Sequence, residues 1–313
     1  MAAASGRVGA QQPGRTYRLG WLSVNVSRAE QYNDAFVERL RERGFVDGRN
    51  LVIEFRSARG EIGRLPAIAA ELVGLNCDLL FAPGSEATLV AARNASRDVP
   101  IVFAANDYDP VATGHVASLA KPGGRITGVT QLQTQLTAKR LEVLSELLPK
   151  ARRIAVFSDS ATVGQLAQVK AASARLKLTL DVVEFKPGPY DYEAAFGAVV
   201  GRKAEALMML SSGFFAGARR RICDLAIKHG LPAIYNNYVW AEEGGLISYG
   251  ANFSDTYRRA ADKVAQVFKG VKPADIPVEQ PTTVEMVVNL ATARALGVTI
   301  PASIAARADR AIQ

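Results

Sequence analysis

The stretch DLLFAPGSEATLVAARNASRDVPIVFAA, residues 78–105, decides the fold class of this chain. It begins with an apolar strand that Pro83-Gly84 ends, continues with apolar residues at helical spacing from Ser85 to Ser96, and closes with a second apolar strand. Ser85 stands where its hydroxyl can cap the helix by accepting a bond from a backbone N–H. The remaining N–H groups, together with the positive end of the helix dipole, predict a seat for an anion at this turn.

The same alternation of strands and helices extends in both directions from this stretch. A first series runs from a strand at residues 17–23 to a strand at residues 100–105, and a second series starts at residues 152–157 and ends at Asn236. Short connectors between alternating strands and helices are typical of parallel sheets with helices on both faces. At 313 residues the chain is long enough for two such domains. We therefore predict an α/β protein with two doubly wound parallel-sheet lobes.

The formal charge of +8 raises the question of a nucleic-acid partner. The basic residues are scattered along the chain, and the tightest groups, Arg219-Arg220-Arg221 and Arg258-Arg259, lie inside helical patterns. Such groups are typical of solvated helix faces, so we expect no nucleic-acid partner. The sequence has no run of eighteen or more apolar residues, and it therefore predicts no transmembrane helix.

The sequence offers little for catalysis or for metal binding. With only two histidines, His115 and His229, and two cysteines, Cys77 and Cys223, in different predicted lobes, we expect two buried free thiols and no metal site of the Cys/His type. The sequence contains no phosphate-binding P-loop, no dinucleotide-binding motif and no nucleophile elbow. We therefore expect no catalytic residue, no metal and no cofactor, in a chain that is not an enzyme.

Short polar side chains follow most of the predicted strands. Ligands of doubly wound sheets bind at the carboxyl ends of the strands, and neutral hydrogen-bonding groups there are suited to holding a small molecule. Phe214 lies just past a strand end, where an aromatic ring can pack against an apolar part of a ligand. The candidate ligand-binding residues are Ser23, Asn25, Ser85, Glu86, Asn106, Asp107, Ser158, Ser160, Ser211, Ser212, Phe214 and Asn236.

Several longer phrases of the sequence point to a known family. RLRERGFVDGRNLVIEFRSARG, KRLEVLSELLP and GGLISYGANFSDTYRRAADKVAQVFKGVKPADIPVEQPT resemble the tryptophan/tyrosine-type substrate-binding proteins of ABC importers, a group related to the type I periplasmic binding proteins. The resemblance runs in order from Tyr17 to Asp309. It implies two lobes joined by hinge crossovers, which close on a ligand held in the cleft between them without catalysis. It also implies a membrane permease as partner, a monomeric protein and a periplasmic location.

The resemblance further implies discontinuous lobes. The N-terminal lobe would comprise residues 17–127 with 250–282, and the C-terminal lobe residues 128–249 with 283–313. Residues 1–16 would be a flexible tail or the remnant of a signal region. Val8-Gly9-Ala10 fits the small-residue rule at a signal-peptide cleavage site, but no apolar segment precedes it.

For the ligand, the resemblance implies an aromatic or other apolar amino acid. Ser85 and the N–H groups behind it would hold the ligand carboxylate, and the polar residues at the other strand ends would complete the ring. An α-ammonium group needs an acceptor, for which Asp107 and Asp159 are candidates and Asp107 is the better one. The sequence does not indicate which amino acid is bound.

Two alternatives stay open at this point. A ligand-sensing regulator of the same clamp fold would need an N-terminal DNA-binding headpiece, and only sixteen residues precede the first predicted strand. An amino-acid-converting enzyme would need a nucleophile beside a base, and the sequence offers no convincing pair.

Overall fold

A computed structural model describes residues 14–24, 28, 31–106, 108–131, 133–186 and 189–313. The strands are β1 (Tyr17–Ser23), β2 (Leu51–Ser57), β3 (Leu79–Gly84), β4 (Ile101–Ala105), β5 (Ile126–Thr130), β6 (Arg153–Asp159), β7 (Thr179–Phe185), β8 (Ala206–Met209), β9 (Ala233–Tyr235), β10 (Ile247–Ala251), β11 (Val284–Asn289) and β12 (Arg310–Ile312). The helices are α1 (Gln31–Glu42), α2 (Leu65–Gly74), α3 (Glu86–Ala95), α4 (Gln133–Leu147), α5 (Val163–Leu176), α6 (Tyr192–Gly201), α7 (Gly213–Ala216), α8 (Arg219–Lys228), α9 (Tyr238–Glu242), α10 (Phe253–Phe268), α11 (Leu290–Ala295) and α12 (Ala302–Ala305). Short 3-10 helices lie at Ile62–Arg64, Ser160–Thr162 and Pro273–Asp275.

The chain divides into two compact units. The first comprises Met1–Thr130 and Ser254–Glu279, and the second comprises Gln131–Phe253 and Gln280–Gln313. The chain therefore passes from one unit to the other three times, after residues 130, 253 and 279. In the part of the chain that the structure describes, no helix is both long enough and apolar enough to cross a membrane.

The first unit contains a five-stranded parallel sheet in the order β2-β1-β3-β4-β5. Trp21, in the middle of β1, is 1% exposed and packs edge-on against the rings of Phe36, Phe55 and Phe81. Its predicted place in the core is confirmed. Because β1 lies between β2 and β3, the strand order reverses beside it, and α3 begins at the carboxyl edge next to this reversal.

The end of β3 differs from the sequence prediction. Pro83-Gly84 does not end the strand, because Pro83 pairs with Ala104 and Gly84 with Ala105 of β4. The pairing of β3 with β1 stops at Phe81, so no β1 carbonyl needs the N–H that proline lacks. Gly84 has a φ of 94°, a left-handed value that glycine adopts at little cost, and it turns the chain into α3.

The second unit contains a seven-stranded sheet in the order β12-β11-β10-β9-β8-β6-β7. Its strands are parallel to their neighbours except for the antiparallel pair β10–β11. Along β6, Ile154 and Val156 belong to one apolar cluster and Ala155 and Phe157 to another, so both faces of the sheet are buried. The strand order reverses beside β6, which lies between β7 and β8.

The two cysteines of the chain are both free and buried. Cys77 precedes β3 in the first unit, and Cys223 lies in α8 of the second unit. Burial raises the pKa of the Cys77 thiol to about 11, so the thiol stays protonated near neutral pH. The prediction of two buried free thiols is confirmed.

An ion pair between a buried lysine and a partly exposed glutamate ties the last segment of the first unit to the rest of that unit. Lys263, on α10, is 1% exposed and donates from Nζ to Glu279 Oε1 at 2.9 Å and to the carbonyl of Pro277 at 2.6 Å. Arg259 donates to the other Glu279 oxygen at 3.0 Å, and the Glu279 carbonyl accepts from the N–H of Thr130 at the end of β5. Burial alone would raise the pKa of the Glu279 carboxyl, but the hydrogen bonds from Lys263 and Arg259 outweigh it and lower that pKa.

We expect Glu279→Gln to destabilise the protein by about 2 kcal/mol near neutral pH, because it leaves the buried Lys263 ammonium without a counter-charge. Partial exposure of the carboxylate keeps this loss below that of a fully buried pair. Lys263→Met removes the buried charge itself and should cost less. Since the folded-state pKa of Glu279 is lowered, its stabilisation is complete above pH 4.5 and is lost as the pH falls through the folded-state value.

Urea unfolding of the wild type and both variants, near neutral pH and at the lowest pH at which the wild type stays folded, measures these differences. The gap between wild type and Glu279→Gln should narrow at the lower pH. A gap that does not change with pH would contradict the assignment of a lowered pKa to Glu279.

Candidate functional site

In the first unit, three candidate residues stand at the carboxyl ends of neighbouring strands. Ser23 ends β1, Ser85 follows β3 and Asn106 follows β4. The N–H of Asn106 donates to the carbonyl of Gly84 at 3.1 Å, which joins two of these strand ends. Oδ1 of Asn106 is buried and has no hydrogen-bond partner among the described residues. Buried acceptors are normally paired, so an unpaired one needs an explanation. A donor group of a ligand would supply the missing hydrogen bond.

Ser85 occupies the N-cap position of α3, but its hydroxyl does not cap the helix. The Ser85 carbonyl accepts from the Thr88 N–H at 3.1 Å, and the Ser85 hydroxyl lies 3.4 Å from the Thr88 hydroxyl instead of bonding to a backbone N–H. The prediction of a side-chain cap was therefore wrong, because the hydroxyl one turn further along competes for the Ser85 side chain. Binding of an anion at this turn stays a prediction. The Ser85 hydroxyl does not use up any backbone N–H of α3 that would bind the anion.

Glu86, the first residue of α3, is held by a buried histidine. Glu86 Oε1 lies 2.8 Å from His115 Nε2, and His115 Nδ1 lies 3.1 Å from an Nη atom of Arg93. Because an arginine only donates, Nδ1 accepts, and Nε2 carries the proton that it donates to Glu86. The ring of Tyr108 packs edge-on against the imidazole at 5.9 Å. His115 was not among the predicted site residues, yet it positions one of them.

In the second unit, Asp159 gathers three donors at the carboxyl end of β6. Its Oδ2 accepts from the Ser212 hydroxyl at 2.5 Å and from the Tyr190 hydroxyl at 3.4 Å. Its Oδ1 accepts from the N–H of Ala161 at 3.0 Å. Burial raises the pKa of the Asp159 carboxyl above its ordinary value, although these three hydrogen bonds oppose the rise. Most of the acceptor capacity of this carboxylate is therefore already in use.

A second polar group lies at the ends of β8 and β9. The Asn236 amide donates to the Ser211 hydroxyl at 2.8 Å, so two of the predicted site residues meet. The side chain of Gln165, in α5, bonds to both the N–H and the carbonyl of Ser211 at 2.8 Å. Gln165 was missed in the sequence, although helical spacing places it one turn before the buried Val169 and thus on the covered face of α5.

The remaining candidates are spread over different surroundings. Ser158 Oγ is buried and has no partner among the described residues, whereas Ser160 is exposed at the start of a 3-10 helix. Phe214 is half-buried, and its ring centroid lies 6.2 Å from that of Tyr190, a residue for which the sequence carried no signal. Asn25 and Asp107 lie outside the described residues.

We expect Ser85→Ala to change the free energy of unfolding by less than about 0.5 kcal/mol, because the hydroxyl makes no cap bond. Ser212→Ala should cost about 2 kcal/mol. It removes the hydroxyl that accepts from the Phe214 N–H at the start of α7, and it takes away the donor closest to the Asp159 carboxylate. Urea unfolding of the two variants measures both values, and equal losses would contradict the described roles of the two hydroxyls.

The two strand-end groups present hydrogen-bond donors and acceptors, not reactive groups. Among the described residues, no group of three or more His, Cys, Asp or Glu side chains is placed to hold a metal ion. Most of these polar residues follow β1 and β3 in one unit and β6 and β8 in the other, next to the points at which the strand order reverses, while Asn106 follows β4 and Asn236 follows β9. Sheets of this kind bind small molecules at these points.

Comparison with known proteins gives consistent results. The family described as ABC transporter substrate binding protein matches residues 24–312. A tyrosine-binding protein from Clostridioides difficile is 28% identical over 263 residues, which is 83% of this chain and 75% of that protein. A conserved domain protein from Vibrio cholerae is 25% identical with a TM-score of 0.83, covering 95% of this chain and 100% of that chain. A domain from Streptococcus pneumoniae, solved in complex with L-Trp, is 23% identical with a TM-score of 0.78, covering 94% of this chain and 100% of that chain.

The likeness of fold extends to type I periplasmic binding proteins. The predicted fold class, two α/β lobes built on mainly parallel sheets, is confirmed.

Proposed function

The chain belongs to the family of ABC transporter substrate-binding proteins, as the resemblance in its sequence predicted, and from this we propose that it is the solute-binding component of an ABC importer. Its ligand is an aromatic or other apolar amino acid. The family is one of binding proteins and not of enzymes. The protein therefore returns its ligand chemically unchanged.

The observation that carries the proposal is the position of the polar groups. In each unit, hydrogen-bonding side chains follow the two strands beside the reversal of strand order, in a fold class that binds ligands at that place. The names of the relatives support the choice of ligand, since one is a tyrosine-binding protein and another was solved with L-Trp.

Different candidate residues are assigned to the carboxylate, the ammonium group and the side chain of a bound amino acid. We assign the carboxylate to the turn before α3, with Ser85 and the first N–H groups of the helix as donors. Asp107 accepts from the α-ammonium group. Phe214, with Tyr190 beside it, packs against the apolar side chain. The other predicted polar residues complete the hydrogen bonds in the cleft expected between the two lobes of this fold.

The partners and the location follow from the same assignment. An importer's binding protein delivers its ligand to a membrane permease, and it works outside the cytoplasm. We therefore propose a periplasmic, monomeric protein whose lobes correspond to the two units. The predicted lobe boundaries at 127, 250 and 282 lie within three or four residues of the unit boundaries at 130, 254 and 279.

A thermal-unfolding screen of the purified protein against the common amino acids tests the proposal. The protein is first unfolded and refolded to remove any bound ligand. An amino acid at a hundred times its dissociation constant should add about 2.7 kcal/mol of stability, which corresponds to a rise in Tm of about 4 °C for a chain of this size.

Tryptamine and tyramine, which lack the carboxylate, are the matched controls and should give no comparable rise. Recovery of the intact amino acid after prolonged incubation separates binding from conversion. If no amino acid raises Tm, or if the recovered compound is altered, the proposed function is wrong.

A further inference from the structure

Arg140, on α4 of the second unit, is fully buried and has no carboxylate partner among the described residues. One Nη atom of its guanidinium donates to Gln133, reaching the backbone carbonyl at 2.9 Å and the side-chain Oε1 at 2.7 Å. The N–H groups on Nε and on the other Nη have no hydrogen-bond partner among the described residues. This is a cation in the interior whose remaining donors have no acceptor among the residues that the structure describes.

The hydrogen-bond network that starts at Arg140 contains a further unpaired donor at its other end. Gln133 donates from its amide nitrogen to Gln131 Oε1 at 3.0 Å, and the amide nitrogen of Gln131 is itself buried without a partner among the described residues. The chain of bonds from Arg140 through Gln133 to Gln131 therefore leaves unused N–H donors at both ends. Side chains that end in several unused donors are complementary to an acceptor.

The guanidinium lies at the carboxyl edge of the second sheet. Because its Nη reaches Gln133, the first residue of α4, the charged end of Arg140 lies two turns before its own Cα. A methyl group on Gly164, at the start of α5, would lie 3.9 Å from Thr134 in the first turn of α4, so the two helices begin side by side. Since α5 starts just after β6 ends, both helix N-termini stand at the edge where β6 ends.

The N-termini of α4 and α5 and the Arg140 guanidinium all place positive charge at the same edge of the second sheet. The first-turn N–H groups of α4 and of α5 carry the positive ends of two helix dipoles, and the Arg140 guanidinium adds a full charge beside α4. Burial lowers the pKa of Arg140 to about 9, with only a minor opposing contribution from Tyr249. Asp159, at the end of β6, is bonded to Ser212, Tyr190 and Ala161 instead of Arg140.

We propose that Arg140 binds a small anion, a carboxylate group or a halide ion, through its Nε and Nη donors at the carboxyl edge of the second sheet. A water molecule would satisfy these donors but would leave the charge uncompensated, and a buried charge without a counter-charge is costly. A guanidinium matches a carboxylate through two parallel N–H···O bonds, and it binds a halide through the same fork.

The anion has two sources that the structure does not separate. It is either a free ion from solution or the carboxylate of a bound ligand. The second source rests on the proposed function and would place the ligand carboxylate at Arg140 instead of at the turn before α3, whereas the first source does not depend on the proposed function. Both require the same residue and the same donors, so one set of variants tests them together.

The test compares thermal unfolding of the wild type with that of Arg140→Met, after both proteins are refolded in a low-salt Hepes buffer without chloride or carboxylate ions. Chloride, bromide or acetate is then titrated, and Arg140→Met reports the general effect of ionic strength on Tm. We expect a saturable rise in Tm of about 2–5 °C for the wild type with at least one of these anions, and no saturable rise for Arg140→Met.

Arg125→Met is the matched control. Arg125, in the first unit, donates to the backbone carbonyls of Val99 and Arg93, so its loss should lower Tm while leaving the anion response intact. If Arg140→Met does not fold, Arg140→Lys replaces it, which keeps the charge but loses the fork and should weaken the anion about tenfold. Anomalous scattering from bromide in crystals of the wild type locates the ion without any variant.

The outcomes separate the two sources. A free ion raises Tm without any amino acid, and amino-acid affinity is then independent of chloride. A ligand carboxylate in the site makes chloride or acetate compete with the amino acid, and Arg140→Met loses affinity for tryptophan or tyrosine but not for tryptamine or tyramine. If the response to chloride, bromide and acetate is the same in the wild type and in the Arg140 variants, the proposal is overturned. Absence of amino-acid binding with an intact halide response overturns only the proposed function.

Discussion

Gly250→Ala is expected to destabilise the second unit by about 3 kcal/mol or more, at the upper end of what overpacking costs. Gly250 lies in β10, where a Cβ atom would stand 1.8 Å from the backbone oxygen of Asn236 and 2.8 Å from its carbonyl carbon. A backbone oxygen cannot rotate away as a side chain does, so the strand or the turn after β9 has to move. Because the Asn236 amide bonds to Ser211, we also expect weaker ligand binding in any fraction that folds.

The matched control for this variant is Gly197→Ala in α6. A Cβ on Gly197 would meet no atom within 4 Å, and alanine favours the helix, so this change should stabilise the protein by about 0.5–1 kcal/mol. Urea unfolding of both variants gives the comparison. A Gly250→Ala protein that is as stable as the wild type would show that the approach of β10 to Asn236 is not as close as described.

Asp107→Ala is expected to weaken binding of an aromatic amino acid by about a hundredfold, while the deaminated acid of the same side chain loses little. A hydrogen bond between two charged groups is worth about 1.5–3 kcal/mol, and only the amino acid has the ammonium group that makes it. Asp159 is the less suitable acceptor, because Ser212, Tyr190 and Ala161 already donate to its carboxylate.

Asp159→Ala is the matched control for the ammonium assignment. It should lower the free energy of unfolding by about 2–3 kcal/mol, since it leaves the Ser212 and Tyr190 hydroxyls without their acceptor, and it should weaken the amino acid and the deaminated acid equally. Isothermal titration calorimetry with both compounds measures the ratio for each variant. Equal losses of both compounds in Asp107→Ala would remove Asp107 from the ammonium role.

Much of the fold was predictable because it depends on neighbours along the chain. Apolar residues that recur at a period of about 2 specify strands, and those at a period of about 3.6 specify helices. Strands and helices that alternate with short connectors then leave few possible topologies other than a doubly wound sheet. The burial of Trp21 followed from its position in the middle of an apolar strand. The position at which β3 ends could not be predicted, because a strand tolerates Pro83 only where no carbonyl of the neighbouring strand needs a hydrogen bond from its backbone nitrogen.

The candidate site was predictable in its location and less so in its contacts. The ends of strands can be predicted from sequence, and this identified Ser211, Ser212 and Asn236, all of which form side-chain hydrogen bonds in the structure. The partners themselves were not readable. Ser212 and Tyr190 stand 53 and 31 residues from Asp159, and no local pattern relates such positions. His115 and Gln165 also act on site residues across the fold, through Glu86 and Ser211.

By itself the sequence determined the class of the protein: the order of strands and helices, the two α/β lobes and the family, all of which rest on local periodicity and on phrases spread over the whole chain. Only the tertiary structure decided which polar groups are paired. Ser85 leaves α3 without a side-chain cap and Asp159 accepts from three donors, whereas Arg140 is buried with two nitrogen atoms that have no partner among the described residues. The physical reason is that hydrogen bonding and desolvation depend on which atoms the fold brings within about 3 Å, and the sequence does not carry those distances.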